Sequence, residues 1–172
     1  MKTRIIALAA FGLFLSMPVL VQAETAPASQ VEVTYVSPEN FTDFKDSSMS
    51  TDKGRDYLTA AFTKHIRKIA KEVLPAGTHL EVKFTDINLA GEYEPQRGPR
   101  FDEVRIMKEI YPPRMVLDFR LLGADGKVLA EGNRHLIDMN YQSNSRAFDD
   151  DPLRYDKTLL TDWLRSEFRK KA

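Results

Sequence analysis

The residues with the richest recognition chemistry in this sequence fall between positions 90 and 114. Tyr93, Phe101 and Tyr111 offer flat apolar area, and Arg97, Arg100, Arg105 and Arg114 offer forked donors that match carboxylate or phosphate. Aromatic groups mixed with arginine are the composition of binding hot spots, so Tyr93, Arg97, Arg100, Phe101, Tyr111 and Arg114 are the candidate binding residues. The competing reading spends the same groups internally. In it the aromatics pin the segment to the domain and the arginines pair with Glu92, Glu94, Asp102 and Glu103.

A second chemistry would use carboxylates. Asp86 with Glu92 or Glu94 can divide acid and base roles, giving a hydrolase or a metal-dependent enzyme, provided a histidine folds against them within about 4 Å of a shared point. The three histidines, His65, His79 and His135, have no zinc-site spacing, and none lies near a Gly-x-Ser-x-Gly nucleophile motif. His65 follows Leu58 by seven residues, which places it on an apolar helix face as a packed boundary histidine. The run Asp149-Asp150-Asp151 ahead of Pro152 suits a helix N-cap better than a calcium loop. No catalytic residue, metal-ligand set or cofactor is therefore assigned, and the expectation is a noncatalytic binding or envelope-associated module.

These groups need elements to hold them. Val31, Val33 and Tyr35 alternate with Glu32 and Thr34 as in a half-buried strand. Over residues 56–74, Leu58, Phe62, Ile66, Ile69 and Val73 recur every three or four residues and predict a helix. Its opposite face carries Lys64, Arg67, Lys68 and Lys71; this stripe reads as a solvated face, with an acidic partner or anionic lipid as the functional alternative. Leu80, Val82 and Phe84 alternate, then the apolar phase slips to Ile87 and Leu89, so a bulge is expected at Thr85-Asp86, with Asp86 turned to solvent or a backbone amide.

Residues 90–114 are long for an open loop, and Val104, Ile106 and Ile110 fit an extra strand within them. Met115, Leu117, Phe119 and Leu121 form a further strand that runs into Gly123-Ala124-Asp125-Gly126, a hairpin signal, and a returning strand with a second bulge expected at Gly132. Leu153, Leu160, Leu164 and Phe168, widened by Leu159 and Trp163, predict a last amphipathic helix. The order implies an α+β fold: a two-layer sandwich of two amphipathic helices on a mostly antiparallel sheet of four to five strands, with the helix-connected first two strands parallel.

The start of the chain has a different character. Lys2 and Arg4, the apolar run from Ile5 to Leu15, Pro18 and the small residues of Val21-Gln22-Ala23 form a Sec-type export signal with cleavage after Ala23. The run is short of the roughly 20 residues that span a bilayer, so no stable membrane anchor is expected after cleavage. Residues 24–30 read as a flexible leader and residues 31–170 as one domain. The part after Ala23 carries 23 basic and 25 acidic residues, a balance unlike that of a nucleic-acid binder. With no cysteine anywhere, there is neither disulfide framework nor thiolate chemistry. A periplasmic location and an envelope protein, cell-wall or membrane component as partner are the resulting expectations.

The stretches Thr85-Asp86-Ile87-Asn88-Leu89-Ala90-Gly91-Glu92, Tyr111-Pro112-Pro113-Arg114 and Leu160-Thr161-Asp162-Trp163-Leu164 resemble the domain of unknown function 3016 family, over about residues 31–168. That resemblance implies an exported proteobacterial protein with a single domain. It carries over no catalytic residue.

Overall fold

The computed structural model describes residues 31–46, 48–49, 51–98, 104–144 and 150–168. The predicted export signal and leader, and the candidate residues Arg100 and Phe101, lie outside these residues.

Four strands make the main sheet: β1 (Val31–Tyr35), β2 (His79–Asn88), β5 (Arg114–Leu122) and β6 (Val128–Ile137), in the order β1-β2-β5-β6. β1 runs parallel to β2, with Val33 opposite Val82, as expected of strands joined through a helix; the other pairs are antiparallel. Two short strands, β3 (Glu92–Tyr93) and β4 (Arg105–Ile106), form a separate ladder. The extra strand predicted around Val104 to Ile110 is thus only two residues long and belongs to a second sheet. Helices α1 (Thr51–Val73) and α3 (Arg154–Phe168) pack against one another, and a short α2 (Tyr141–Asn144) lies between β6 and α3 in the chain. The fold is α+β, with a mixed, mostly antiparallel sheet.

The apolar periodicity selects the packed faces. Leu58, Phe62, Ile66 and Ile69 of α1, Leu159, Leu160, Leu164 and Phe168 of α3, and Leu80, Val82, Phe84, Met115, Leu117 and Phe119 of the sheet form one core. Phe119 meets Trp163 and Phe168 edge-on, at ring distances of 6.0 and 5.5 Å. Phe41 and Phe44, from the connection between β1 and α1, join the same core; no periodic pattern marks them because they sit in irregular chain. The other sheet face is polar, with Glu81, Lys83, Asp118, Arg120, Asn133 and His135 on it.

Several boundaries differ from the sequence-based expectation. α1 begins at Thr51, five residues early, since Arg55 pairs with Asp52 at 2.5 Å and Gly54 lies against the backbone of Asp46, so the first turn needs no apolar side chain. α3 begins at Arg154: Asp151 does act as a cap, accepting from the Leu153 amide at 2.9 Å, but it closes a turn that precedes the helix. The β2 bulge falls between Phe84 and Asp86 as predicted. The second irregularity lies opposite Leu121 and Leu122 rather than at Gly132. Gly132 stays in register with Phe119, and its lack of a side chain makes room for Arg134, whose Nη1 would lie 2.6 Å from an added Cβ. Arg134 covers the Phe119 ring and pairs with Glu167 through both carboxylate oxygens at 2.7 and 2.8 Å, tying β6 to α3. The Asp-Gly hairpin forms with Gly126 at φ 76°.

Candidate functional site: the polar annex of residues 88–114

Beyond the end of β2 the chain leaves the sheet and builds a compact annex. Its entry is fixed by the backbone: the Asp43 amide donates to the Ile87 carbonyl at 3.0 Å and the Leu89 amide donates to the Asp43 carbonyl at 3.1 Å. That bridge delivers the Asp43 carboxylate to the annex. Arg105 of β4 meets it with two bonds, Nη1 to Oδ2 at 2.5 Å and Nη2 to Oδ1 at 3.2 Å. The same guanidinium donates to the Gly91 and Lys45 carbonyls and lies over the Tyr93 ring at 4.4 Å. Asp43 is buried and Arg105 nearly so, and a charge removed from water persists only when its hydrogen-bonding capacity is filled. Gly91 permits this closure: its φ is 78°, and a Cβ there would lie 2.7 Å from the Met107 sulfur.

A second buried carboxylate, Glu94, gathers three donors. Lys108 Nζ and the Tyr111 hydroxyl, the latter at 2.9 Å, reach Oε1, while Arg97 Nε reaches Oε2 at 2.6 Å. The Lys108 and Tyr111 hydrogen bonds hold the Glu94 carboxyl below the usual glutamate range, and Glu94 in turn raises the Tyr111 phenol. The Lys108 carbonyl accepts from the Tyr141 hydroxyl at 2.8 Å, and Tyr141 meets Tyr155 of α3 edge-on at 4.8 Å. Ala90, Tyr141 and Tyr155, with Met107, make a small apolar cluster of their own beneath the annex.

Asp156 completes the anchorage. Its Oδ1 accepts from the Ala90 amide at 3.0 Å, and it is 2% exposed. Burial pushes its pKa up to about 7, against the opposing pull of the Ala90 amide and Arg105. Neither Asp43 nor Asp156 was singled out from the sequence. A signal existed for Asp156, which precedes Leu160 by four residues and Leu164 by eight and so falls within the apolar stripe of α3, where an unpaired acid is out of place.

The predicted binding residues divide in two. Tyr93 and Tyr111 face inward, onto Arg105 and Glu94, and Arg97 pairs with Glu94 while half of its side chain stays exposed. Arg114 is exposed and, with Asn88, Glu92, Ile110, Tyr111 and Pro112, lines a small cavity of about 120 Å³. Arg97 thus pairs with Glu94 as the internal reading expects, Arg105 pairs with Asp43 instead, and the exposed residues of the segment include Arg97, Val104, Glu109, Ile110 and Arg114.

The catalytic alternative finds its groups apart. Asp86 accepts from the Thr42 amide at 2.7 Å and the Thr42 hydroxyl at 2.8 Å at the bulge, Glu92 accepts from the Tyr93 amide, and Glu94 is enclosed by its three donors. His65 bonds to the Lys157 carbonyl and the Thr161 hydroxyl between the helices; His79 neighbours Glu32, and His135 lies opposite Val116 on the polar sheet face. Among the described residues, no three His, Asp or Glu side chains converge as a metal site.

Fold and site define an α+β domain with an ion-paired annex built on one end of its sheet. The chain belongs to the family described as protein of unknown function (DUF3016), whose model matches residues 29–166. No curated protein and no solved structure matches it.

Proposed function

We propose that the chain is a noncatalytic binding module of the cell envelope that engages a polypeptide through the surface of residues 88–114. The observation that carries this reading is a rigid support beneath an exposed apolar patch. Ile110 is 70% exposed, yet the segment bearing it is anchored by Asp43–Arg105, by Glu94 with its three donors, and by Asp156 on Ala90. Arg114, which shares the small cavity with Ile110, pairs in register with Ile137, and Ile137 and Met139 are exposed as well. Apolar groups beside Arg114 suit a segment with an aliphatic side chain next to an acidic one. A surface held in shape before binding loses little entropy on association. The export pattern of residues 1–23 supports the envelope location.

The test is recovery of partners by the full chain from the envelope fraction of its native host. Wild type is expected to retain a discrete protein that the variant Ile110→Asp/Arg114→Glu loses, with unchanged circular dichroism and melting. Equal recovery by both would overturn the reading.

A further inference from the structure

The outer face of α1 carries a separate feature. At 100° per residue, Lys53, Lys64, Arg67, Lys68 and Lys71 all fall within about 60° of one line along the helix, as do Tyr57 and Ala60. The buried residues Leu58, Phe62, Ile66 and Ile69 lie on the opposite side, so the stripe is the outermost surface of the helical layer. All five cations are exposed, and Tyr57 is 41% exposed among them. The stripe runs about 27 Å, with Asp56 the single acid along it. The nearby acids face other cations: Asp52 pairs with Arg55, Glu72 with Arg165 of α3 at 3.5 Å and Asp151 with Lys157, while Asp162 of α3, in the groove beside the stripe, feels the charge of Arg165. Among the described residues, Lys53, Lys64, Lys68 and Lys71 have no ion-pair partner.

This concentration of charge is not a by-product of composition, because the whole chain balances 25 basic against 25 acidic residues. Four of the five cations are lysines, mobile point charges without the planar fork that selects an individual carboxylate. A straight row of mobile charges beside an exposed tyrosine matches a diffuse anionic plane better than a discrete ligand.

We infer that α1 is a membrane-surface docking face, on which the Lys53, Lys64, Arg67, Lys68 and Lys71 stripe adsorbs to a bilayer rich in anionic headgroups. The attachment is electrostatic and superficial, since no described helix is long and apolar enough to cross a membrane. It is distinct from the annex surface, so one molecule can hold a bilayer and a polypeptide at once.

Co-sedimentation with vesicles tests this, using phosphatidylglycerol-containing vesicles against pure phosphatidylcholine. Full-length wild type is compared with Lys64→Glu/Lys68→Glu/Lys71→Glu. Both proteins carry residues 1–30, so adsorption through that apolar run is common to both and cancels. The wild type is expected to prefer anionic vesicles and to be released by raised salt, with each lysine contributing about fivefold and the charge-reversed triple variant weakened by more than about a hundredfold. Lys83→Glu, on the polar sheet face, and Ile110→Asp/Arg114→Glu are expected to bind as wild type, which keeps this outcome separate from that of the annex. Undiminished binding of anionic vesicles by the triple variant would overturn the inference. So would loss confined to a soluble polyanion such as polyphosphate, which would place the anion in solution rather than on a bilayer.

Discussion

The helix-on-sheet layer and the annex are held together in opposite ways. Between α1, α3 and the sheet, cohesion is mainly apolar: Phe62, Ile66, Leu160 and Leu164 are fully buried, and the polar ties, His65 to Thr161 and Arg134 to Glu167, are only partly buried. In the annex, cohesion is polar. Asp43, Glu94 and Asp156 are each nearly or fully buried, and the chain is positioned by what those carboxylates accept. Apolar packing tolerates small shifts, whereas a bidentate ion pair out of water fixes direction as well as distance. The annex therefore holds its exposed patch in one geometry without a large core of its own.

The largest expected effect tests the apolar side of this contrast. Phe62→Ala should lower the unfolding free energy by about 4 kcal/mol, read from urea denaturation, because it empties the middle of the core. A cost below about 1 kcal/mol would mean that the layer is not packed as described. Arg105→Met should cost about 3 kcal/mol, since it strands the Asp43 carboxylate without its guanidinium. Adding Asp43→Leu should recover most of that loss while leaving the patch less well fixed, seen as faster amide exchange at Gly91 and Tyr93. Were the double variant no more stable than the single one, the polar account of the annex would fail.

The smallest effect is set by pH. The Asp156 carboxyl titrates at about 7 in the fold against its ordinary 3.8, so the folded state binds the proton more tightly than the unfolded state. Its contribution is complete below the ordinary value and is lost as pH rises from about 4 through 7. Asp156→Asn keeps an acceptor for the Ala90 amide without a charge, though it forgoes the attraction to Arg105. It should stabilise the protein by about 2 kcal/mol at pH 8, and by progressively less as the pH falls toward 4. A stability difference that does not change with pH would show that burial is not the cause.

The same contrast explains what was legible in the sequence. Elements whose cause is a repeating solvent boundary were readable: the α1 stripe, the hairpin at Asp125-Gly126 and the phase slip at Phe84 to Asp86 each leave a local trace. The annex depends on pairings between distant residues. Asp43 with Arg105 spans 62 positions and Glu94 with Lys108 spans 14, and no spacing rule links either pair. Hot-spot composition pointed to several side chains that face inward, because the same arginine and tyrosine chemistry that grips a partner also grips a neighbouring strand. Phe41 and Phe44 were missed for a related reason, since single aromatics in irregular chain show no period.

The hydrogen bond from the Ala90 amide to Asp156 also ties closure of the annex to the docking of α3. The parallel β1–β2 pair, α1 and the β5–β6 hairpin all lie in residues 31–137, but Ala90 has no acceptor, and Tyr141 no ring partner, until α3 docks. The final helix thus works as a latch shared by the annex and the main core. A chain cut before Tyr155 would lose this latch together with the α3 share of the main core, so the annex and the sheet would loosen together.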